Sequence, residues 1–559
     1  MKLNFLKHRV ILSSEEKSRL KKERLFLVLS GLLLGVGFPP FPFPFTLLLF
    51  IALIPYLYVV EKRKTLGEKN RATYLTFFIF SIITLYWVGS WQKQADPFLM
   101  IAGGTLLFVN PLFFLIPSTL QYYVKKIFPK REVIFFFPLF WVTYEYLYML
   151  TDLSFPWLTL GNGLAKFTAF IQIADIIGAV GLSIVIIYIN IFLYKAFINY
   201  KNSRKKFAIN LSTSLLIFIL VLSYGLYKLS SFQITNNKIR VGLIQPNLDP
   251  WDKWSGGNLK SITNLYLDLS QQAVNNGAKI IFWPETALPV FLLDGSNNRT
   301  LDSIYSFIKK NNVYLLTGMP DVKYYFKGDK IPDDAIKSKQ GNFYYTMYNG
   351  IILLSPDSYK IQHYGKMKLV PFGERVPFVD KFPFLGDLIK WGVGISGWNV
   401  GKDTINFELP YNVEENFSSK DSIHINGLVC YESIYPYFVD KFVKRGAEII
   451  AIVTNDSWYG NSSGPYQHED IAALRAVENR RSVIRAANGG ISCIIDPLGR
   501  IKSQTEMYTK TYLVGDVPLE YSETFFTKHS MIIPTISSVI SLWTFGFFLL
   551  KKLKDKLKL

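Results

Sequence analysis

An α-helical membrane bundle of eight transmembrane helices, carrying an α/β layered domain, is the architecture the sequence predicts. Three observations point to it. Hydrophobic residues make up 50% and aromatic residues 16% of the 559-residue chain, and the excess is gathered in blocks, as burial in lipid requires. Basic clusters fall after alternate blocks. Between the seventh block and the eighth, apolar strands alternate with amphipathic helices, the pattern of a sheet domain.

The apolar blocks run Leu25 to Phe38, Phe45 to Val60, Thr73 to Trp91, Phe98 to Val124, Val133 to Leu150, Ala169 to Tyr194 and Leu211 to Leu229, with an eighth from Met531 to Leu550. Most reach the ~20 residues that a helix needs to cross hydrocarbon. The first is short before Pro39-Pro40 but lacks a small-residue cleavage site, so it reads as a helix and not as a signal peptide. Lys and Arg decide orientation. They precede Leu25, then cluster at Lys62-Arg63-Lys64, Lys125-Lys126, Arg204-Lys205-Lys206 and the tail from Lys551. The connections around Pro39, Gln92 and Asp152 are poor in both. If all eight segments span, every basic loop lies on one side. Both termini are then cytoplasmic and the long soluble stretch faces outward. The expected division is a seven-helix membrane domain at 1–230, an extracytoplasmic α/β domain at 231–527, and a C-terminal helix with basic tail at 528–559.

Within the bundle, Glu145 sits in an apolar segment, where an ionisable group calls for a partner or water. Trp157 follows Phe155-Pro156 in an outward loop and suits either an interfacial belt or a substrate contact. The net charge of +20 flanks the apolar blocks and forms no single face, which argues against nucleic acid. Two distant cysteines, Cys430 and Cys493, form no disulfide framework or CxxC motif, and five scattered histidines form no clustered ligand set. No metal is expected.

In the soluble stretch, strands are predicted at Ile239–Ile244, Lys279–Trp283, Val313–Thr317, Gly350–Leu354, His424–Cys430, Glu448–Thr454, Ile491–Ile495 and Tyr512–Val517. Helices are predicted at Asn258–Val274, Thr300–Lys310 and His468–Val483. Three polar constellations follow strands. Phe282-Trp283-Pro284-Glu285 ends one strand with a carboxylate, because Pro284 cannot continue a ladder. Lys366 opens an irregular run that ends at Glu374. Gly427-Leu-Val-Cys430-Tyr431-Glu432 brings a rare thiol to a strand end. A carboxylate, an amine and a thiol suffice for acyl transfer: the first takes the thiol proton, the second stabilises an oxyanion, the third attacks. Taken singly, each has a plainer explanation. Glu285 could cap a helix, Lys366 could be a solvated charge, and Cys430 could be a small buried hydrophobe.

Together the residues carry a resemblance. Phe282 to Thr286, Lys366 to Pro377 and Val429 to Ser433 are similar to the Glu-Lys-Cys arrangement of the nitrilase superfamily, which implies an α-β-β-α sandwich. Joined to this bundle, and with Asn455 to Gly460, Gly464 to His468, Arg475 to Glu478 and Arg485 to Gly490 following in order, the chain resembles the bacterial apolipoprotein N-acyltransferases. Gln245-Pro246-Asn247 with Lys253-Trp254 is similar to that family's opening strand and its following tryptophan, although the family commonly has Gly where Pro246 stands. The resemblance implies Cys430 as nucleophile, Glu285 as general base and Lys366 as oxyanion-stabilising cation. Glu374, Glu432 and Asn349 are implied supports, without a choice of which carboxylate touches Lys366. Tyr431 and Trp458 would wall the acyl pocket, and Trp254 is a further substrate-side residue.

The implied reaction takes a fatty acyl group from a membrane phospholipid onto Cys430. It then passes the group to the free α-amine of the diacylglyceryl-cysteine of an apolipoprotein, in the bacterial inner membrane and without a cofactor. An apolar, Gly-rich stretch from Phe382 through Phe384 and Trp391 to Trp398 reads as an arm dipping into lipid. Two other functions are compatible with the same residues: a membrane-anchored amide or nitrile hydrolase, and a non-catalytic lipid-binding scaffold or transporter.

Overall fold

The computed structural model describes residues 13–557 except 94, 130–131, 256–257, 340, 383, 386–396 and 411–421. Its apolar half begins with α1 (Ser14–Gly37), opened by a reciprocal Ser13–Glu16 capping box. Then come α2 (Ile54–Val60), α3 (Leu66–Leu85), α4 (Pro97–Phe113), α5 (Leu115–Ile127), α6 (Phe137–Tyr148), α7 (Ala174–Asn199) and α8 (Arg204–Ser231).

Several predicted segments are broken, mostly at prolines. Phe45–Val60 divides into a 3₁₀ turn, Phe45–Phe50, and α2, whose second residue is Pro55. The residue before a proline disfavours helix, and the proline itself donates no hydrogen bond. Pro111, within α4, and Pro117, in the first turn of α5, flank the break at Phe114. Pro138 fixes the start of α6. Among the described residues, five helical stretches are long and apolar enough to cross a bilayer: Leu66–Gly89, Pro97–Ile127, Ala174–Asn199, Arg204–Ser231 and Ile532–Leu557. Phe45–Val60 and Val133–Tyr148 are shorter, and α1 carries charge through its first half.

The α/β half consists of two sheets packed face to face. One has the order β13-β1-β2-β3-β5-β4, with β6 also pairing β5; the other runs β12-β11-β10-β9-β8-β7. The first contains β1 (Lys238–Gln245), β2 (Ile280–Trp283), β3 (Tyr314–Tyr325), β4 (Ile336–Lys337), β5 (Tyr344–Leu354), β6 (Gln362–Gly365) and β13 (Thr511–Pro518). The second contains β7 (Asn406–Pro410), β8 (Ser422–Val429), β9 (Ile449–Thr454), β10 (Ser482–Ala487), β11 (Cys493–Ile495) and β12 (Ile501–Gln504). Helices α9 (Leu259–Asn275) and α10 (Asn298–Asn311) cover one outer face; α11 (Pro436–Lys444) and α12 (Ser463–Asn479) accompany the other sheet. A long apolar helix, α13 (Ile532–Leu557), returns to the bundle.

Alternation along the strands builds the layers. Val241, Leu243, Ile280 and Phe282 point into the core between the sheets, while Ile244, Ile281 and Trp283 meet α9 and α10 on the other side. β1, β2 and β3 are parallel, as are β8, β9 and β10. Their carboxyl ends therefore gather at one edge, where ligands of α/β sheets bind.

The helix predicted at His468–Val483 ends sooner. Arg480 takes a left-handed conformation, φ 48°, after Asn479, and the β-branched run from Ser482 becomes β10. This strand, with β4, β6, β7, β12 and α11, is additional to the predicted elements. Their short or polar sequences give little periodic signal.

The two halves are locked together by side chains. Gln467, fully buried on α12, fills its whole hydrogen-bonding capacity with the bundle. Its Oε1 accepts from Trp87 Nε1 at 3.0 Å and Trp157 Nε1 at 2.7 Å. Its Nε2 donates to the Pro39 carbonyl at 2.7 Å and the Thr84 carbonyl at 3.0 Å. Trp157, 4% exposed, is thus neither a belt residue nor a substrate contact but a strut. Lys166 pairs with Asp470 of α12 at 2.8 Å across the same junction. Glu145 finds partners as expected: its Oε1 accepts from Trp141 Nε1, the Leu160 amide and Ser183 Oγ at 2.8–3.0 Å.

Candidate active site

Glu285 stands two residues beyond β2, Lys366 directly after β6, and Cys430 directly after β8. Cys430 has φ 49°, a left-handed backbone that a non-glycine residue adopts at a cost of roughly 1–3 kcal/mol. Ser433 Oγ donates to its carbonyl at 2.8 Å and so holds the turn. Lys366 is 1% exposed and lies 2.8 Å from Glu374 Oε1 and 3.4 Å from Glu285 Oε1. Asn349 Nδ2 donates to both carboxylates, at 2.7 Å to Glu285 and 2.8 Å to Glu374. The second Glu285 oxygen accepts from the Asn455 amide at 3.1 Å, and the second Glu374 oxygen from the Val370 amide at 2.8 Å.

Burial works against the Lys366 ammonium, yet Glu374 and Glu285 outweigh it and hold its pKa above the ordinary lysine value. The thiol is shifted upward, although an ammonium lies in the same cluster. Burial pushes Cys430 well up, Glu285 adds to the rise, and Lys366 only partly offsets it. These surroundings favour the neutral thiol.

Glu432 is separated from this cluster. Its Oε1 accepts from Tyr364 Oη at 2.7 Å and from the Met367 and Lys368 amides at 2.7 and 3.1 Å; its Oε2 accepts from the Val429 amide at 2.8 Å. Burial raises it to about 7 against those donors. Glu374, and not Glu432, touches Lys366. Glu432 ties the Lys366 loop to the end of β8.

Two site residues were not singled out from the sequence. Lys253 is buried, donates to the Thr286 carbonyl at 2.8 Å, and is lowered to about 8 by burial, opposed by Glu285. His468 contacts Ser433 Oγ at 2.8 Å and the Cys430 carbonyl at 3.2 Å through Nε2. Burial and the nearby Arg485 lower its pKa and favour the neutral ring. Both occur inside sequence runs that carried the resemblance, but nothing in their spacing marks them. Cys430, Asp456 and His468 place possible ligand atoms within 4.8 Å of one another. They do not suit a cation, since Arg485 already bonds Asp456 and contacts His468 Nδ1.

Cys430, Glu285, Lys366, Asn349 and Glu374 line a cavity of about 430 Å³. Trp254, Trp458, Trp398 and Tyr459 line it as well. Its other wall belongs to the apolar half: Phe98, Ile101, Ala102, Thr105, Leu106 and Val109 of α4, with Phe113, Tyr148 and Phe155. Tyr431 does not line the cavity; it is buried and donates to the Ser154 carbonyl at 2.7 Å. Phe384 is 62% exposed, packs by Phe382 and is not among the residues lining the cavity. Trp391, with most of the arm predicted around it, lies outside the described residues.

This architecture, an α/β domain of carbon–nitrogen hydrolase type seated on an apolar helical bundle, agrees with comparisons to known proteins. Residues 240–525 match the carbon-nitrogen hydrolase family, and residues 30–192 match the apolipoprotein N-acyltransferase N-terminal domain. The apolipoprotein N-acyltransferase of Chlorobaculum tepidum is 35% identical over 530 residues, covering 93% of this chain and 95% of that protein. Its counterpart in Geobacter metallireducens is 30% identical over 518 residues, covering 91% and 92%. A solved amidase from Nesterenkonia shares 18% identity over 52% of this chain and 94% of its own, at a TM-score of 0.34, too low to bear on the fold by itself. The chain belongs to the apolipoprotein N-acyltransferase family.

Proposed function

We propose that the chain transfers a fatty acyl group from a membrane phospholipid to the free α-amine of the diacylglyceryl-cysteine of apolipoproteins, through a thioester on Cys430. The observation that carries this reading is the cavity's two-sided wall. One side is built from apolar residues of a bilayer-length helical stretch, and the other ends on a thiol, a carboxylate and an ammonium. An acyl chain buried there gains about 0.8 kcal/mol per methylene, and the reacting ester is delivered to the sulfur.

In the first step Glu285 takes the Cys430 proton as the sulfur attacks the ester carbonyl. The oxyanion forms beside the Lys366 ammonium. Collapse expels the lysophospholipid oxygen, which takes the proton from Glu285, and the acyl group stays on sulfur. In the second step the lipoprotein amine attacks the thioester and gives a proton to Glu285. Cys430 leaves as thiolate and regains that proton, and an amide has formed. Asn349 and Glu374 hold Glu285 and Lys366 in register. Trp254 and Trp458 flank the reacting carbonyl, and the donor itself supplies the acyl group without a cofactor. Apolar walls disfavour water as a competing acceptor.

The topology belongs to the same proposal. Eight crossings, with α1, Phe45–Val60 and Val133–Tyr148 spanning beside the five long stretches, put every basic loop and both termini in the cytoplasm. The catalytic half then lies on the outer, periplasmic face of the inner membrane. The test is mass spectrometry of the purified chain after incubation with phospholipid, then with a diacylated lipopeptide. An acyl adduct on Cys430 that is discharged into N-acylated peptide is expected. Turnover that survives Cys430→Ala would overturn the mechanism, and release of free fatty acid instead of amide would overturn the transfer.

A further inference from the structure

The bundle has a second cavity, about 650 Å³, between the start of α1 and the α2–α3 connection. It is far from Cys430. The end of α3 meets Gln467 through the Thr84 carbonyl, whereas the cavity lies at its beginning. The 20 residues of α3 separate the two by roughly 30 Å, about one hydrocarbon thickness.

Five cations line this cavity: Arg19, Lys22, Lys62, Arg63 and Lys64. Two carboxylates, Glu23 and Glu68, line it as well, so the cations are in excess by three, and the carboxylates in and around it already have partners. Glu23 pairs with Arg63 at 2.7 Å, Glu68 caps α3 through Thr65, and Glu61 pairs with Lys125 at 2.7 Å. Among the described residues, no carboxylate pairs with Arg19, Lys22, Lys62 or Lys64. The floor is aromatic. Phe26 meets Tyr58 edge to face at 5.6 Å, and Lys62 Nζ sits 3.4 Å over the Tyr58 ring. One step along α1, Leu25 and Leu29 are 59% and 43% exposed, a surface suited to acyl tails.

We propose that this cavity binds the head group of an anionic phospholipid from the leaflet opposite the catalytic half. The excess of cations recruits a phosphate with no compensating charge. A zwitterionic head group brings an ammonium that the same cations repel. The shared requirement is a phosphate; the apolar strip on α1 selects a lipid over a soluble anion. The assignment of leaflet rests on the topology proposed above, but the binding itself does not depend on the catalytic mechanism.

The test uses the full chain, delipidated in detergent, with native mass spectrometry to read bound lipid. Phosphatidylglycerol, phosphatidylethanolamine and soluble glycerol phosphate are titrated at matched ionic strength. Each cation near an anionic head group contributes about fivefold in affinity, so Lys22→Gln/Lys62→Gln/Lys64→Gln should weaken phosphatidylglycerol binding on the order of a hundredfold. Phosphatidylethanolamine binding and acylation of Cys430 should stay as in the wild type. The triple Lys→Arg variant should retain binding, which separates loss of charge from loss of fold. Equal phosphatidylglycerol affinity in wild type and the Gln variant would overturn the site. So would displacement of the lipid by glycerol phosphate, which would mark a soluble-anion site instead.

Discussion

Replacing Glu374 by Gln removes one charge from the site while keeping its size. Lys366 Nζ lies 2.8 Å from Glu374 Oε1. At an effective dielectric of about 20, a pair at that separation is worth roughly 6 kcal/mol before desolvation is subtracted. Breaking a buried pair by deleting one partner typically costs about 3–5 kcal/mol. Glu285 at 3.4 Å still faces the ammonium, so the lower end applies. A loss of about 3 kcal/mol in the first step corresponds to roughly a hundredfold slower acylation. The pH profile adds a sign. Lys366 is held above its ordinary value by its carboxylates, so its charge persists through the usual alkaline range. Without Glu374 its pKa falls, and activity should be lost at lower pH on the alkaline side than in the wild type. The assay is the rate of acyl-Cys430 formation after mixing with phospholipid, read by mass spectrometry across pH. A Glu374→Gln enzyme that acylates within about twofold of wild type, with its alkaline limb unmoved, would refute the assignment of Lys366 as the oxyanion's cation.

Ala102 lines the cavity from α4. Ala102→Trp should lower Cys430 acylation from long-chain phospholipid by about tenfold or more, while a short acetyl ester still acylates; equal losses would place the chain elsewhere. Asp470 is raised to about 7 by burial, offset in part by Lys166. Lys166→Gln lifts that pKa further, so ionising Asp470 costs more as pH rises. The variant should lose about 1–2 kcal/mol of stability at about pH 8 and less at about pH 6, read by thermal unfolding in detergent. Equal losses at both would exclude the pair as the cause. Glu432 is raised to about 7 by burial, above its unfolded value, so the folded state binds the extra proton and its contribution declines as pH rises from about 4.3 to 7. Glu432→Gln should lower Tm, since an amide cannot accept from all four donors, at a cost of about 1–3 kcal/mol. The deficit should shrink above neutrality, and one that grows there would contradict the sign.

Much of this molecule was legible because its chemistry sits at strand ends. Pro284 forces β2 to stop before Glu285, and the apolar run into Cys430 announces β8, so the positions of both could be read without coordinates. Lys366 was found through the motif around it, since β6 has only four residues and weak alternation. Pairing was harder. Glu374 and Glu432 are alike in sequence, and only the way the loop folds puts one on the ammonium and the other on four donors. Tyr431 follows Cys430, yet beyond the tight turn at that residue its side chain reaches the Ser154 carbonyl. Trp157 looked like a membrane anchor because tryptophan in a loop beside an apolar segment usually is one. What decided otherwise was Gln467, 310 residues away. The breaks in the apolar segments follow prolines visible in the sequence, but proline alone does not distinguish a kink from a stop.

The four-way amide junction at Gln467 has a practical consequence for dissecting the protein. Cutting the chain between α8 and β1 would strip four partners from a buried amide of α12 and remove the wall that α4 gives the cavity beside Cys430. Such a truncation would be left with an opened cavity at Cys430 and, on α12, an amide without partners. The enzyme is better regarded as one indivisible machine than as a catalyst tethered to a membrane raft.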